Sequence, residues 1–251
     1  MIRNTTERDF DDEARDRPEH SYAYDFDYRM HRYMMRTFQK SLVAGNALEL
    51  GCYHGHFTKL LHAQFANVEV VDAAADCIEA AKRAVGGGAT YHHCRFEDFS
   101  PEHRFSNIFL IHTLEHLDQP VDVLSRIGGW LAPQGRLFIA SPNARAGSRQ
   151  IAVAMGLIAH TSAVTAAERA HGHRVTYSFD TLEADVRAAG LTVLDRGGIF
   201  FKGLANFQLD QALAAGIVTP EYLDGCYTLG FVYPDLCASI YVVCENDPSK
   251  R

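Results

Sequence analysis

Short apolar runs alternate with amphipathic stretches along most of this sequence, and this alternation constrains the fold more than any other feature. The apolar runs predict seven strands, at residues 47–50, 68–71, 91–93, 108–111, 136–140, 191–194 and 240–244. Helical spacing separates several of them, at residues 57–65, 74–85, 121–130 and 182–189. Such alternation is typical of βαβ units. It predicts an α/β fold with a doubly wound, mostly parallel, seven-stranded sheet.

The length of 251 residues and the apolar content of 47% suit one domain with extra segments. We expect a helical or cap segment over residues 1–40 and the single domain over residues 41–251. Two stretches interrupt the alternation, an insert at about 143–176 and a C-terminal segment at about 201–235. Because binding loops gather at the carboxyl ends of such strands, both stretches are predicted to cover an active site as helical lids.

A glycine turn after the first strand and an aspartate after the second form the strongest local signal. Gly51 permits a tight turn without a Cβ, and Gly55 lets the following helix pack closely. Asp72 follows Gly51 by 21 residues and ends the second strand. An acid about 20 residues beyond a glycine turn is placed to bind the two ribose hydroxyls of a nucleoside.

The spacing of the glycines bears on which nucleoside is bound. A dinucleotide fingerprint needs G-x-G-x-x-G, whereas Gly51 and Gly55 are separated by three residues, and Tyr53 and His54 would crowd a pyrophosphate. S-adenosylmethionine carries no phosphate, and its cationic groups suit a turn flanked by Glu49. An NAD-type oxidoreductase and a non-catalytic nucleoside-binding module are the alternatives.

Five motifs in order extend this signal: ELGCYHG, VVDAA, FEDFS, NIFLIHTLEHLDQP and APQGRLFIASPN. With them the chain resembles the class I S-adenosylmethionine-dependent methyltransferases, and within these the group similar to ubiquinone-biosynthesis methyltransferases. The resemblance covers residues 45–145 well and the region from His171 to Val193 moderately. It implies a Rossmann-like methyltransferase fold, S-adenosylmethionine as cofactor, S-adenosylhomocysteine as product, and an O or N atom of a small-molecule metabolite as acceptor.

The resemblance also implies where the cofactor lies. The methionine and sulfonium groups would contact Glu49, Gly51, Cys52, Tyr53 and Gly55. The adenosine would contact Asp72 at its ribose and Ala73, Phe96 and Glu97 at its adenine, and His112 would lie near the sulfonium. In many small-molecule methyltransferases an N-terminal tyrosine closes over the cofactor, which makes Tyr24 a candidate.

Histidine is unusually frequent, with 13 copies. His116 and His173 are predicted to act as general bases, because an imidazole near its ordinary pKa takes a proton at neutral pH. A solvated loop and a structural histidine are the alternatives. His112 and His116 are four residues apart, as in helical zinc sites, but they follow a buried strand and lack the HExxH order. No metal is therefore predicted.

Charge and composition exclude several classes of partner. The formal net charge is -7, and the Lys and Arg residues are scattered, which disfavours nucleic acid as a substrate. No apolar stretch reaches 18 residues, so no membrane span is expected. The six cysteines lack CxxC spacing and no export signal is apparent, so we expect free thiols in the cytoplasm. A homodimer is compatible with these features.

Overall fold

Seven strands form one sheet in the computed structural model, which describes residues 8–16 and 21–246. The strands are β1 Ala47–Leu50, β2 Val68–Asp72, β3 Ala89–His93, β4 Phe105–Ile111, β5 Leu131–Pro142, β6 Leu191–Phe201 and β7 Cys237–Asn246. Their order is β3-β2-β1-β4-β5-β7-β6, and β7 runs antiparallel to both of its neighbours. The prediction of a mostly parallel, seven-stranded sheet is confirmed.

Ten helices of the described chain surround the sheet or cover its carboxyl edge. They are α1 Phe10–Glu13, α2 Asp25–Phe38, α3 His56–His62, α4 Ala75–Val85, α5 Pro120–Trp130, α6 Gly147–Ala154, α7 Ala166–Ala170, α8 Phe179–Ala188, α9 Asn206–Ala214 and α10 Pro220–Leu229. Local sequence explains several ends. Pro120 opens α5, where its missing N–H costs nothing, and Gly86 ends α4 in the left-handed conformation at φ +77°.

Each face of the sheet packs against its own hydrophobic core. Because successive residues of a strand point to opposite faces, Phe109 and Leu110 of β4 enter different cores. The first core includes the buried face of α2, with Phe26, Met30 and Phe38. Of the predicted segment 1–40, residues 21–40 thus pack on the sheet through α2, and residues 1–7 and 17–20 lie outside the described part.

The strand order reverses at β1, because β2 and β3 lie on one side of it and β4 begins the other side. Leu50 at the end of β1 is level with Val71 of β2 and Leu110 of β4. The exits from these three strands therefore meet at one edge, at the switch point where open α/β sheets bind ligands. None of the helices in the described part is both long and apolar enough to cross a membrane.

Candidate functional site

A cavity of about 560 Å³ opens at this switch point, within the usual size range of small-molecule sites. All but one of the residues predicted for the site lie on its wall. These are Tyr24, Glu49, Gly51, Cys52, Tyr53, Asp72, Ala73, Phe96, Glu97, His112, His116 and His173. The structure therefore brings together groups that are separated by up to about 150 residues in the sequence, and their individual roles stay predictions.

The turn after β1 depends on Gly51. Its φ of +81° lies in the left-handed region, and its N–H donates to the carbonyl of Val71 at 2.9 Å. A Cβ at this position would lie 2.6 Å from Oγ1 of Thr113, closer than real Cβ contacts allow. Only glycine therefore lets the turn pass between β2 and the segment after β4.

Asp72 joins the exits of β1 and β2. Its Oδ2 accepts a hydrogen bond from the N–H of Cys52 at 2.8 Å, and Oδ1 accepts one from Ala74 at 2.9 Å. Burial raises the pKa of this carboxyl, although the backbone donors oppose the shift. Each oxygen has a second lone pair, so the carboxylate can still accept hydrogen bonds from the cavity. The predicted juxtaposition of glycine turn and acid is present.

Gly55 is the exception among the predicted cofactor residues. It is absent from the described residues that line the cavity. With φ of +77° it starts α3, and a Cβ there would lie 2.7 Å from the Cα of Ala81 in α4. Gly55 therefore permits the close packing of α3 and α4, and its contact with the cofactor stays a prediction.

Glu49 lies on β1 below the turn and is only 1% exposed. Its Oε2 accepts a hydrogen bond from Oγ1 of Thr58 at 2.5 Å. Burial raises the pKa of this carboxyl to about 8. A cationic ligand group beside Glu49 would stabilise its charged form, so this part of the cavity favours a positive charge.

The opposite end of the cavity has an apolar wall and a polar rim. Phe96 is largely buried there, next to Ala73 at the end of β2. Glu97 forms an ion pair with Arg95, with 3.2 Å between Oε1 and a guanidinium nitrogen. Phe96 and Glu97 both line the cavity, and their contacts with an adenine ring stay predictions.

An N-terminal tyrosine does lie in the cleft, and it is Tyr22. Its ring stacks on Tyr53, with 4.5 Å between centroids, and meets His171 edge-on at 5.1 Å. Burial and the charge of Asp72 raise the pKa of its hydroxyl well above the ordinary value. Tyr24, the predicted residue, lines the cavity from the start of α2, with its ring 6.3 Å from Phe207.

His112 follows β4 in a left-handed conformation, with φ of +51°. Its Nε2 lies 2.8 Å from Oγ of Ser239 on β7. Burial lowers the pKa of this imidazole to about 3, so the ring is neutral at physiological pH. His112 thus forms a hydrogen bond with Ser239 of the sheet.

His116 and His173 meet across the cavity wall, with 4.5 Å between their ring centroids. Burial lowers the pKa of His173 to about 4, and burial together with the neighbouring His173 also lowers the pKa of His116. Both rings are therefore neutral at pH 7 and keep a lone pair, but the expectation of imidazoles near their ordinary pKa is wrong, because burial makes both rings weaker bases than a free imidazole. The N–H of Arg174 donates to the carbonyl of Glu115 at 2.8 Å, which holds the two segments together.

Glu115 is a site residue that the sequence analysis missed. It is 1% exposed, lines the cavity, and accepts a hydrogen bond from Oγ of Ser141 at 3.0 Å. Burial raises its pKa to about 8. Its position next to His116 in the sequence could have indicated a site residue. Only the folded structure shows that Glu115 lines the cavity.

Four charged residues form a closed ring of ion pairs over the same wall. Arg8 binds Glu13 at 2.6 Å and Asp118 at 3.1 Å, and Arg174 binds the same two carboxylates at 3.4 and 2.9 Å. The ring joins the N-terminal segment, the turn after β4 and the insert. Because partly exposed pairs each contribute about 1 kcal/mol or less, it orders these segments more than it stabilises the fold.

Comparisons with known proteins point to one family. A family model described as a methyltransferase domain matches residues 22–196. No curated protein matches the sequence. Among solved structures, the N-methyltransferase NodS of Bradyrhizobium japonicum WM9 in complex with S-adenosyl-L-homocysteine is 16% identical, with a TM-score of 0.58 over 90% of this chain and 89% of that one.

Two further structures show the same fold. A SAM-dependent methyltransferase of Leishmania major is 16% identical, with a TM-score of 0.60 over 88% of this chain and 74% of that one. The CcbJ methyltransferase of Streptomyces caelestis is 15% identical, with a TM-score of 0.57 over 85% and 88% of the two chains. At these identities the structural likeness establishes the architecture.

Proposed function

We propose that the chain, which belongs to the methyltransferase domain family, transfers the methyl group of S-adenosylmethionine to an oxygen or nitrogen atom of a small-molecule metabolite. The single observation that carries this proposal is the hydrogen bond from the glycine turn at Cys52 to Asp72, at the mouth of the cavity. The NodS neighbour, which holds S-adenosyl-L-homocysteine on the same fold, supports the cofactor.

The residues that line the cavity match the chemical groups along the length of this cofactor. The free lone pairs of Asp72 accept hydrogen bonds from the ribose hydroxyls, and the apolar wall at Ala73 and Phe96 takes the adenine. Gly51 lets the turn pass close to Thr113, where a side chain would collide, and so keeps the backbone of the turn on the cavity wall. The buried carboxyl of Glu49 stabilises the positively charged end of the ligand.

The acceptor lies on the side of the cavity formed by His116 and His173. Bound S-adenosylmethionine supplies a methyl group that is already activated by the positive sulfur, so the protein chiefly has to position the acceptor. A hydroxyl or an acidic N–H must also lose its proton. The imidazoles of His116 and His173 carry lone pairs at this point and accept that proton, as weaker bases than a free imidazole because their pKa values are lowered.

Two segments enclose the acceptor. Tyr22 covers the cleft between Tyr53 and His171, and the ring of ion pairs holds the N-terminal segment against the insert. We assign residues 143–176 and the N-terminal residues the role of lids that exclude water around the reacting atoms. Part of the segment at 201–235 also lines the cavity, through Lys202, Asn206 and Phe207.

A small metabolite fits the observations better than a nucleic acid. The net charge of -7 opposes a polyanion, and the acceptor wall is enclosed by the two lids. Mostly buried free thiols support a reducing, cytoplasmic location, because all six cysteines are unpaired. The NAD-type oxidoreductase is disfavoured, since Tyr53 stacks on Tyr22 and His54 where a pyrophosphate would need open backbone.

Transfer of a labelled methyl group tests the proposed function. The purified chain is incubated with S-adenosylmethionine labelled in its methyl group and a panel of hydroxyl-bearing and amine-bearing metabolites. We expect label in at least one small molecule and one equivalent of S-adenosylhomocysteine for each methyl group transferred. Tight cofactor binding without transfer to any acceptor across a broad panel would contradict the enzymatic role and favour a nucleoside-binding module.

A further inference from the structure

Three side chains on the acceptor wall form a constellation that methyl transfer alone does not require. Ligand atoms of Glu115, His116 and His173 all lie within 4.8 Å of one another. We propose that these three residues bind a divalent transition-metal ion that holds an oxygen-bearing acceptor. This inference rests on the proposed function for its acceptor, but the metal site itself does not depend on methyl transfer.

A buried carboxylate oxygen gives independent support. Oε1 of Glu115 is shielded from solvent and has no hydrogen-bond partner among the described residues. A buried polar atom without a partner is unfavourable, and a charged one more so. Its other oxygen is fixed by Ser141, which aims Oε1. A cation between the carboxylate and the two imidazoles would supply the missing partner.

The backbone holds the three ligands in place. Glu115 and His116 lie in the 3-10 turn Leu114–His116 after β4, and His173 comes from the insert. The hydrogen bond from Arg174 to the carbonyl of Glu115 joins these segments directly beside the ligands. Arg8 adds a second tie through the carbonyl of His116, at 2.9 Å. Binding an ion therefore requires little further loss of conformational entropy from these segments.

The donor set selects the class of ion. Two imidazoles and one carboxylate suit first-row transition metals such as Zn²⁺ and Co²⁺, whereas Mg²⁺ and Ca²⁺ prefer sites made of oxygen alone. Three protein ligands also leave positions open, as in catalytic metal sites. Glu115, His116 and His173 all line the cavity, so the open positions are accessible to an acceptor.

A metal ion at this site would change how the acceptor is activated. A hydroxyl bound at an open position would have a lowered pKa and would release its proton to solvent, since the imidazole lone pairs are engaged. The hydroxyl oxygen then forms a bond to the methyl carbon, and the electrons of the broken carbon–sulfur bond return to sulfur. Acceptors with two neighbouring oxygens would bind best, through chelation.

Cobalt binding tests the site without any knowledge of the acceptor. The tag-free, full-length chain is stripped with a chelator, dialysed and titrated with CoCl₂, while visible absorption and calorimetry are recorded. We expect one Co²⁺ for each chain and d–d absorption bands that report bound imidazole. Mg²⁺ at the same concentrations should not displace the cobalt.

Two substitutions and two controls locate the ion. Glu115→Gln keeps the size of the side chain, and His173→Asn lies on the insert, so each should weaken Co²⁺ binding at least about thirtyfold. His160→Ala removes an exposed histidine of the same insert and should change nothing. Glu69→Gln tests the pair His92 and His103, which flank that carboxylate at 2.7 and 3.0 Å, and should also change nothing.

S-adenosylmethionine binding is measured on the same samples, with thermal unfolding as a check on folding. Normal cofactor binding without Co²⁺ binding would overturn the metal site and leave the proposed function intact. Loss of Co²⁺ in Glu69→Gln, but not in Glu115→Gln and His173→Asn, would overturn it as well. Co²⁺ bound at the predicted residues without any cofactor binding would support the site while contradicting the methyltransferase function.

Discussion

Replacing Asp72 with alanine should weaken binding of S-adenosylmethionine more than tenfold. The substitution removes the carboxylate that we propose accepts both ribose hydroxyls, and it frees the N–H groups of Cys52 and Ala74 that shape the turn. Hydrogen bonds to a charged group contribute about 1.5–3 kcal/mol, which corresponds to a loss of roughly 10- to 150-fold in affinity. Titration calorimetry measures the effect directly.

Two controls separate the ribose contact from general damage. Asp72→Asn keeps the shape and one acceptor oxygen, so its affinity should fall between those of the wild type and the alanine variant. Asp76→Ala removes an exposed carboxylate one turn further on, whose partner is Arg15, and should leave binding unchanged. A folded Asp72→Ala protein with wild-type affinity would refute the ribose role.

Replacing His173 with alanine should lower turnover at least about 100-fold, because the side chain is proposed to activate the acceptor, either as a proton acceptor or as a ligand of the metal ion. The side chain faces His116 on the acceptor side and is separate from the residues assigned to the cofactor. Affinity for S-adenosylmethionine should therefore stay within about threefold of the wild type, which is well below the tenfold change that corresponds to 1.4 kcal/mol. Steady-state rates are measured with an acceptor found in the metabolite panel.

His160→Ala is the matched control for this experiment, because His160 is exposed on the same insert. It should retain full turnover. A normal rate in His173→Ala would remove the residue from the chemistry. A parallel loss of cofactor affinity would instead show that the insert orders the whole pocket, and the assignment of His173 to the acceptor would fail.

The sheet and the cofactor side of the cavity could be predicted because they depend on local patterns. The run Ile108–Ile111 is apolar throughout, as expected for a strand buried on both faces, and β4 contains it. Gly51 and Asp72 end neighbouring parallel strands, so their proximity follows from topology once the strands are recognised. The close helix packing at Gly55 also follows from its missing side chain, because a Cβ there would collide with Ala81 of α4.

The acceptor side depends on contacts between distant segments, which local patterns do not specify. Aromatic residues alternate from Tyr22 to Tyr28, and both Tyr22 and Tyr24 line the cavity, but only the packing of this segment stacks Tyr22 on Tyr53. In the sequence, Glu115 is simply a residue that follows a strand. In the folded chain, the hydrogen bond from Arg174 to its carbonyl places His173 beside it. The ring that includes Arg8 likewise joins charges from three segments.

The central claim is that the exits of β1 and β2 together bind an adenosyl group attached to a positive sulfur. Parallel calorimetric titrations of the wild-type chain with S-adenosylmethionine and with NADH test it most directly. We predict one bound equivalent of S-adenosylmethionine, competed by S-adenosylhomocysteine, and no heat of binding with NADH. Saturable binding of NADH together with no binding of S-adenosylmethionine would contradict the account.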